Sequence, residues 1–249
     1  MCTLNNERID YVNDNISLIQ KLDGLTFGTD ALLLAGYING KYKCGIEIGG
    51  GSGIISMLLL TRNKIDTVYA VEIQEEYAAL IKRNSDLNSL SDRLFSVHSD
   101  IRDYKRENEC DIIFSNPPYM KSTSGLLNEC DAKTIARHEM NGDIYELIKA
   151  GAKNLKFGGA FYLVYRPDRL CDLIAAMREF NVEPKRLTFV HARASSEPSM
   201  VLIEGKKGGK PSINVTRPLI IYQDGTDNTY THDMNYIMEN GSFPSDFKR

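Results

Sequence analysis

The 249-residue chain contains no apolar run near the roughly 18 residues needed to span a bilayer, and no basic, apolar and cleavable leader at its amino terminus. Neither membrane insertion nor export is expected, and the protein is read as cytoplasmic. Its five cysteines, Cys2, Cys44, Cys110, Cys130 and Cys171, include no CxxC pair. An odd number cannot complete a disulfide framework, so they read as buried thiols. The four histidines, His98, His138, His191 and His232, lack the i, i+4 pairing of a helical metal site, and no metal is expected. No internal repeat or low-complexity tract is present.

What is present is an ordinary globular composition, long enough to bury a full core. The net charge of -3 does not suggest a general polyanion binder, but the charge is unevenly placed. Residues 181–217 hold seven bases against three acids, a local +4, which leaves -7 for the rest.

Short β-rich runs alternate with segments of helical period, the pattern of a doubly wound α/β sheet. Seven strands are expected, at 43–48, 67–73, 94–98, 110–115, 160–165, 187–191 and 200–204. Helices are expected at 74–87, led by Glu75 and Glu76 at the positive end of its dipole, and from Asp143 to about 155 before a turn at Lys156-Phe157-Gly158-Gly159. Pro167 opens another, with Leu170, Leu173, Ile174 and Met177 on one apolar face. Only eight residues, 192–199, separate the last two strands, too few for a parallel crossover, so they form an antiparallel hairpin. A mostly parallel, Rossmann-like seven-stranded sheet ending in such a hairpin resembles the class I methyltransferase architecture. One domain is expected over 1–249, with an N-terminal segment at 1–42, a core at 43–205 and a C-terminal extension at 206–249.

After the first strand runs Glu47-Ile48-Gly49-Gly50-Gly51-Ser52-Gly53. Glycines at 49, 51 and 53 let the backbone turn tightly and approach a ligand without a Cβ in the way. The spacing departs from the dinucleotide fingerprint GxGxxG. It resembles the S-adenosylmethionine loop of class I methyltransferases, with Glu47 at its head. Glu72, ending the second strand, is placed to accept both ribose hydroxyls of an adenosyl group. Asp100, just past the third, fits the position that meets the adenine amino group, although an Asp there also serves as a turn or cap residue.

Asn116-Pro117-Pro118-Tyr119 follows the fourth strand, at the carboxyl edge where open α/β folds bind ligands. Two prolines stiffen the corner. The Asn116 side-chain oxygen and the Pro117 carbonyl can accept the two hydrogens of a planar amino group, whose lone pair must be recovered before it attacks a methyl group. Pro118 and Tyr119 would contact the substrate, with Tyr119 stacking on a base face.

On these residues the chain resembles the amino-methyltransferases bearing an NPPY motif. Within them, Gly24-Leu25-Thr26-Phe27-Gly28-Thr29-Asp30-Ala31-Leu32-Leu33-Leu34 looks like the leading segment of the bacterial enzymes that methylate N6 of adenine 37 in tRNA1(Val). The likeness continues through Ala136-Arg137-His138-Glu139, Ser196-Glu197, Glu204 to Lys210 and Pro218 to Tyr222. The chain departs from the family at Glu47 and Gly50, where Asp and a small polar residue are more usual. The resemblance implies S-adenosylmethionine as cofactor and tRNA as partner, and leaves monomer and weak dimer open.

Asp30 reads equally as a helix cap and as a ligand to the methionine end of the cofactor. Lys206, Lys207 and Lys210 read equally as contacts to tRNA phosphate and as a solvated loop. The alternatives are a glutamine N5-methyltransferase, disfavoured because about 42 residues precede the first strand where such enzymes carry a helical substrate domain, and a noncatalytic cofactor-binding RNA chaperone.

Overall fold

A computed structural model describes residues 6–22, 27–117, 144–225 and 227–247. A nine-stranded sheet forms its centre, in the order β10-β8-β9-β7-β6-β3-β4-β5, with β11 also paired to β8. The parallel strands are β3 (Tyr42–Ile48), β4 (Ile65–Glu72), β5 (Leu94–His98), β6 (Cys110–Ser115) and β7 (Leu155–Tyr165). β8 (Val182–His191) and β9 (Pro198–Lys207) form the expected antiparallel hairpin. The count exceeds seven because β10 (Asn214–Val215) and β11 (Leu219–Ile220) add two short parallel pairings outside β8. Two-residue strands carry no periodicity to read.

Alternation along each strand explains the layers. On β6, Ile112 and Phe114 join one apolar cluster with Leu33 of α1 (Thr29–Tyr37), Leu58 of α2 (Ile54–Thr61) and Ile81 of α3 (Glu75–Leu87). Ile113 joins the opposite cluster, with Ile148 of α4 (Ile144–Asn154) and Met177 of α5 (Leu170–Glu179). Period-two side chains thus face two helical layers. The chain leaves β3 for β4 on one side and returns to β6 on the other, and this reversal at the carboxyl edge is where ligands of such sheets bind.

Two expectations change. Lys156 to Gly159 is no free turn: it lies inside β7, where Cys110 pairs with Leu155 but Ile112 pairs with Ala160, so the glycines are absorbed in a bulge. The cysteines are not all buried thiols either. Cys44 and Cys110, on neighbouring strands with Cα atoms 5.0 Å apart, form a disulfide, and Cys171 is exposed. Cys2, Cys130 and the expected helix cap Asp143 lie outside the described residues.

Two further features, a hairpin near one end and a helix near the other, were not expected. β1 (Glu7–Asn13) and β2 (Ile16–Lys21) form an antiparallel hairpin on α3. Asn84 and Asn88, one helical turn apart, hold β2 with their amides: Asn84 accepts from Ile19 N (2.7 Å) and donates to Ile19 O (3.1 Å), and Asn88 does the same with Ser17 at 2.9 and 2.8 Å. At the other end, α6 (His232–Asn240) begins on a Thr231 cap, and Met234, Ile237, Phe243 and Phe247 enter the α1 side of the core. Among the described residues no helix is long and apolar enough to cross a membrane.

Candidate active site

The glycine turn follows β3. Gly49, Gly51 and Gly53 adopt φ of +72°, +56° and +82°, and Gly53 caps α2. This alternating left-handed path costs only glycine nothing. Glu72, ending β4 and 4% exposed, joins the turn: its carboxylate accepts from Gly51 N at 3.0 Å and from Gln74 N at 3.0 Å. The backbone carbonyl of Glu72 also accepts from Ser99 N at 3.0 Å, so the exits of β4 and β5 are tied together. Asp100 stands at that second exit. Arg102 grips its carboxylate through Nε at 3.0 and 2.9 Å and through the backbone amide at 2.8 Å, and these bonds hold the carboxyl below its ordinary range.

Glu47 departs from its expected place. It is 1% exposed on the α2 face of β3 and accepts a hydrogen bond from the Ser56 hydroxyl. Burial pushes its carboxyl up to about 8, against the Ser56 bonds and with a further push from Glu72. The period-two geometry that turns Ile46 and Ile48 toward α4 and α5 turns Glu47 beneath the glycine turn, where it supports α2.

The Asn116 corner closes the other side of the chain reversal. Ser115 Oγ donates to Ile48 O at 2.7 Å, linking the ends of β6 and β3. Asn116 Nδ2 donates to Asp30 Oδ2 at 2.8 Å, and Asn116 Oδ1 is buried without a hydrogen-bond partner among the described residues. Asp30 sits in the first turn of α1, whose N-cap is Gly28, so Asp30 is not the cap. Pro117 is described; Pro118 and Tyr119 lie outside the described residues.

Glu72, the glycine turn, Asp100, Asp30 and Asn116 therefore share the carboxyl edge. The glycine turn offers an open face beside a carboxylate and fits a nucleoside with a charged tail. The lysines lie elsewhere. Lys206 pairs with Ala160, level with Ile112, which is four residues or about 13 Å short of Asn116 along the strand. Lys207 donates to Ala152 O (2.8 Å) and Leu155 O (2.5 Å), closing the end of α4, and pairs with Glu109 at 3.5 Å. The Lys210 carbonyl accepts from Lys185. Their nearness to one another in sequence does not bring them to the carboxyl edge, because β9 runs antiparallel to β7. Among the described residues no group of three His, Cys, Asp or Glu residues could hold a metal.

The family model described as methyltransferase small domain matches residues 22–180. The tRNA1(Val) (adenine(37)-N6)-methyltransferase of Dyadobacter fermentans is 32% identical over 141 residues, spanning 56% of this chain and 58% of that protein. The protein of the same name from Porphyromonas gingivalis is 31% identical over 189 residues, spanning 71% and 72%. Among solved structures, a predicted O-methyltransferase from Agrobacterium tumefaciens superposes with a TM-score of 0.67 at 22% identity, covering 85% of this chain and 96% of that one, a likeness of fold.

Proposed function

We propose, from the premise that the chain belongs to the methyltransferase small-domain family, that it methylates N6 of an adenine in tRNA, at adenine 37 of tRNA1(Val), in the cytoplasm. The observation that carries this reading is the buried, unpartnered Oδ1 of Asn116 beside the glycine turn. A water-shielded acceptor left unpaired costs about 1–3 kcal/mol, a cost that an incoming N–H group removes.

S-adenosylmethionine, when bound, supplies an electrophilic methyl group. The open face of the glycine turn and the Glu72 carboxylate would hold it, with Asp100 at the neighbouring strand exit. Arg102 already occupies Asp100, so a ligand there must share the carboxylate or displace the guanidinium. Asn116 Oδ1 accepts one hydrogen of the substrate amine and the Pro117 carbonyl the other. Two acceptors draw the amine hydrogens out of the plane of the ring, turn the lone pair out of conjugation and stabilise the positive charge that develops on nitrogen. Phe114 and Ile48, buried in the clusters on opposite faces of the sheet, pack the strand ends that carry the corner.

The test is to incubate total tRNA from cells lacking the enzyme with protein and labelled S-adenosylmethionine, then digest and identify the labelled nucleoside and its position. Label in N6-methyladenosine at position 37 supports the proposal; transfer only to a protein glutamine overturns it. Asn116→Ala is expected to lower turnover about 100- to 1,000-fold, as loss of a transition-state hydrogen bond does, while leaving cofactor affinity nearly intact. Equal loss of both would reassign Asn116 to cofactor binding.

A further inference from the structure

A primary amide is almost symmetric in shape, so packing alone cannot decide which end of Asn116 faces a substrate. If the NH2 group pointed outward, it would meet the hydrogens of an incoming amine donor to donor. Asp30 decides the matter chemically. Its carboxylate only accepts, so the Asn116 Nδ2 that lies 2.8 Å from Oδ2 is fixed as the donor end, and Oδ1 is left for the substrate. The flipped amide would set two oxygens against each other.

Asp30 is itself held. Its Oδ1 accepts from Ala31 N at 3.0 Å in the first turn of α1, where amides favour a carboxylate. Gly28 makes room for it: a Cβ there would stand 2.6 Å from Asp30 Oδ1, although the Gly28 backbone is extended and open to any residue (φ -114°). The glycine is thus required for space and not for conformation. Upstream, Phe27 N donates at 2.9 Å to Oε1 of Gln20, a residue 1% exposed on β2, which anchors the approach to α1.

We infer that Asp30 is a positioning residue, which acts through Asn116 to present that residue's carbonyl oxygen to the substrate amine. This rests on the role of Asn116 proposed above and replaces the expectation that Asp30 binds the cofactor.

Three variants test it. Asp30→Ala removes the acceptor, Asp30→Asn can still offer an oxygen to Nδ2, and Gly28→Ala keeps every charged group while displacing the carboxylate. Asp30→Ala is expected to lower kcat about 10- to 100-fold, the scale of mispositioning a transition-state hydrogen bond, with cofactor Kd unchanged. Asp30→Asn should recover most of the loss, and Gly28→Ala should resemble Asp30→Ala. Independently of activity, the Asn116 side-chain amide protons should be protected from solvent exchange by NMR in the wild type and Asp30→Asn, and unprotected in Asp30→Ala. Unchanged amide signals in Asp30→Ala, or a loss confined to cofactor affinity, overturns the role of Asp30 whatever the substrate proves to be. Failure to label tRNA in the wild type would sink the proposed function and leave the amide result standing.

Discussion

Glu47 is a carboxylic acid enclosed between β3 and α2, with the Ser56 hydroxyl as its hydrogen-bond donor. Burial pushes its carboxyl up to about 8, so the folded chain binds this proton more tightly than the unfolded chain, whose value is the ordinary 4.5. The stability this supplies is complete below the unfolded value and is lost as pH rises from there through about 8. Glu47→Gln keeps an acceptor for Ser56 without a titrating proton. Thermal melts of the two proteins at about pH 6 and about pH 9 should therefore show a larger fall for the wild type; parallel curves would mean that Glu47 is ionised at neutral pH. At this scale the glycine turn and the Asn116 corner were legible as short motifs, and Glu72 by its place at the end of a strand, in that the structure puts all three at the carboxyl edge. The Asn116–Asp30 bond was not, since its partners stand 86 residues apart and only the tertiary fold joins them.

Among the elements, the strands of the parallel core were readable because each is a short apolar run bounded by turn residues. β1 was not, since exposed and half-buried positions alternate along it without a strong apolar face, and β2 owes its place to side chains of α3. Asn84 joins three pieces of structure, bonding Ile19 N and O on β2 and, at 2.9 Å, the carbonyl of Ser52 in the glycine turn. Asn84→Ala would leave buried backbone groups unpaired and should cost about 2–4 kcal/mol in urea unfolding. It should also expose the Ile19 amide to hydrogen exchange and weaken cofactor binding, because the Ser52 carbonyl loses its support. Loss of stability with an unchanged cofactor Kd would show that the turn holds its shape without α3.

For the whole molecule, the local positive charge of residues 181–217 was visible in the sequence, but its disposition was not. Much of it is used internally. Arg186 is buried, pairs with Glu204 at 2.8 Å, and donates to the carbonyls of Tyr37 at 2.8 Å and Phe247 at 3.1 Å. Arg217 pairs with Asp233 and Asp246, both at 2.6 Å, and lies 4.1 Å over the Phe247 ring. The segment expected as an extension beyond residue 205 thereby shares a core with α1: Phe247 stands edge-on to Phe243 at 5.3 Å, and Phe243 edge-on to Tyr37 at 5.3 Å. Lys64 adds a polar tie, donating to Ala35 O and Ile38 O at 2.8 Å and to Gly241 O at 3.0 Å, so one ammonium closes the ends of α1 and α6. If this segment is integral, Phe247→Ala should lower the stability of the whole protein by about 3–5 kcal/mol, the cost of emptying a buried aromatic site. Urea unfolding followed by circular dichroism and by hydrogen exchange in β6 should then move together to a lower midpoint. An early transition limited to residues 219–247, with the β6 midpoint unchanged, would instead make the segment an appendage that folds onto a finished core.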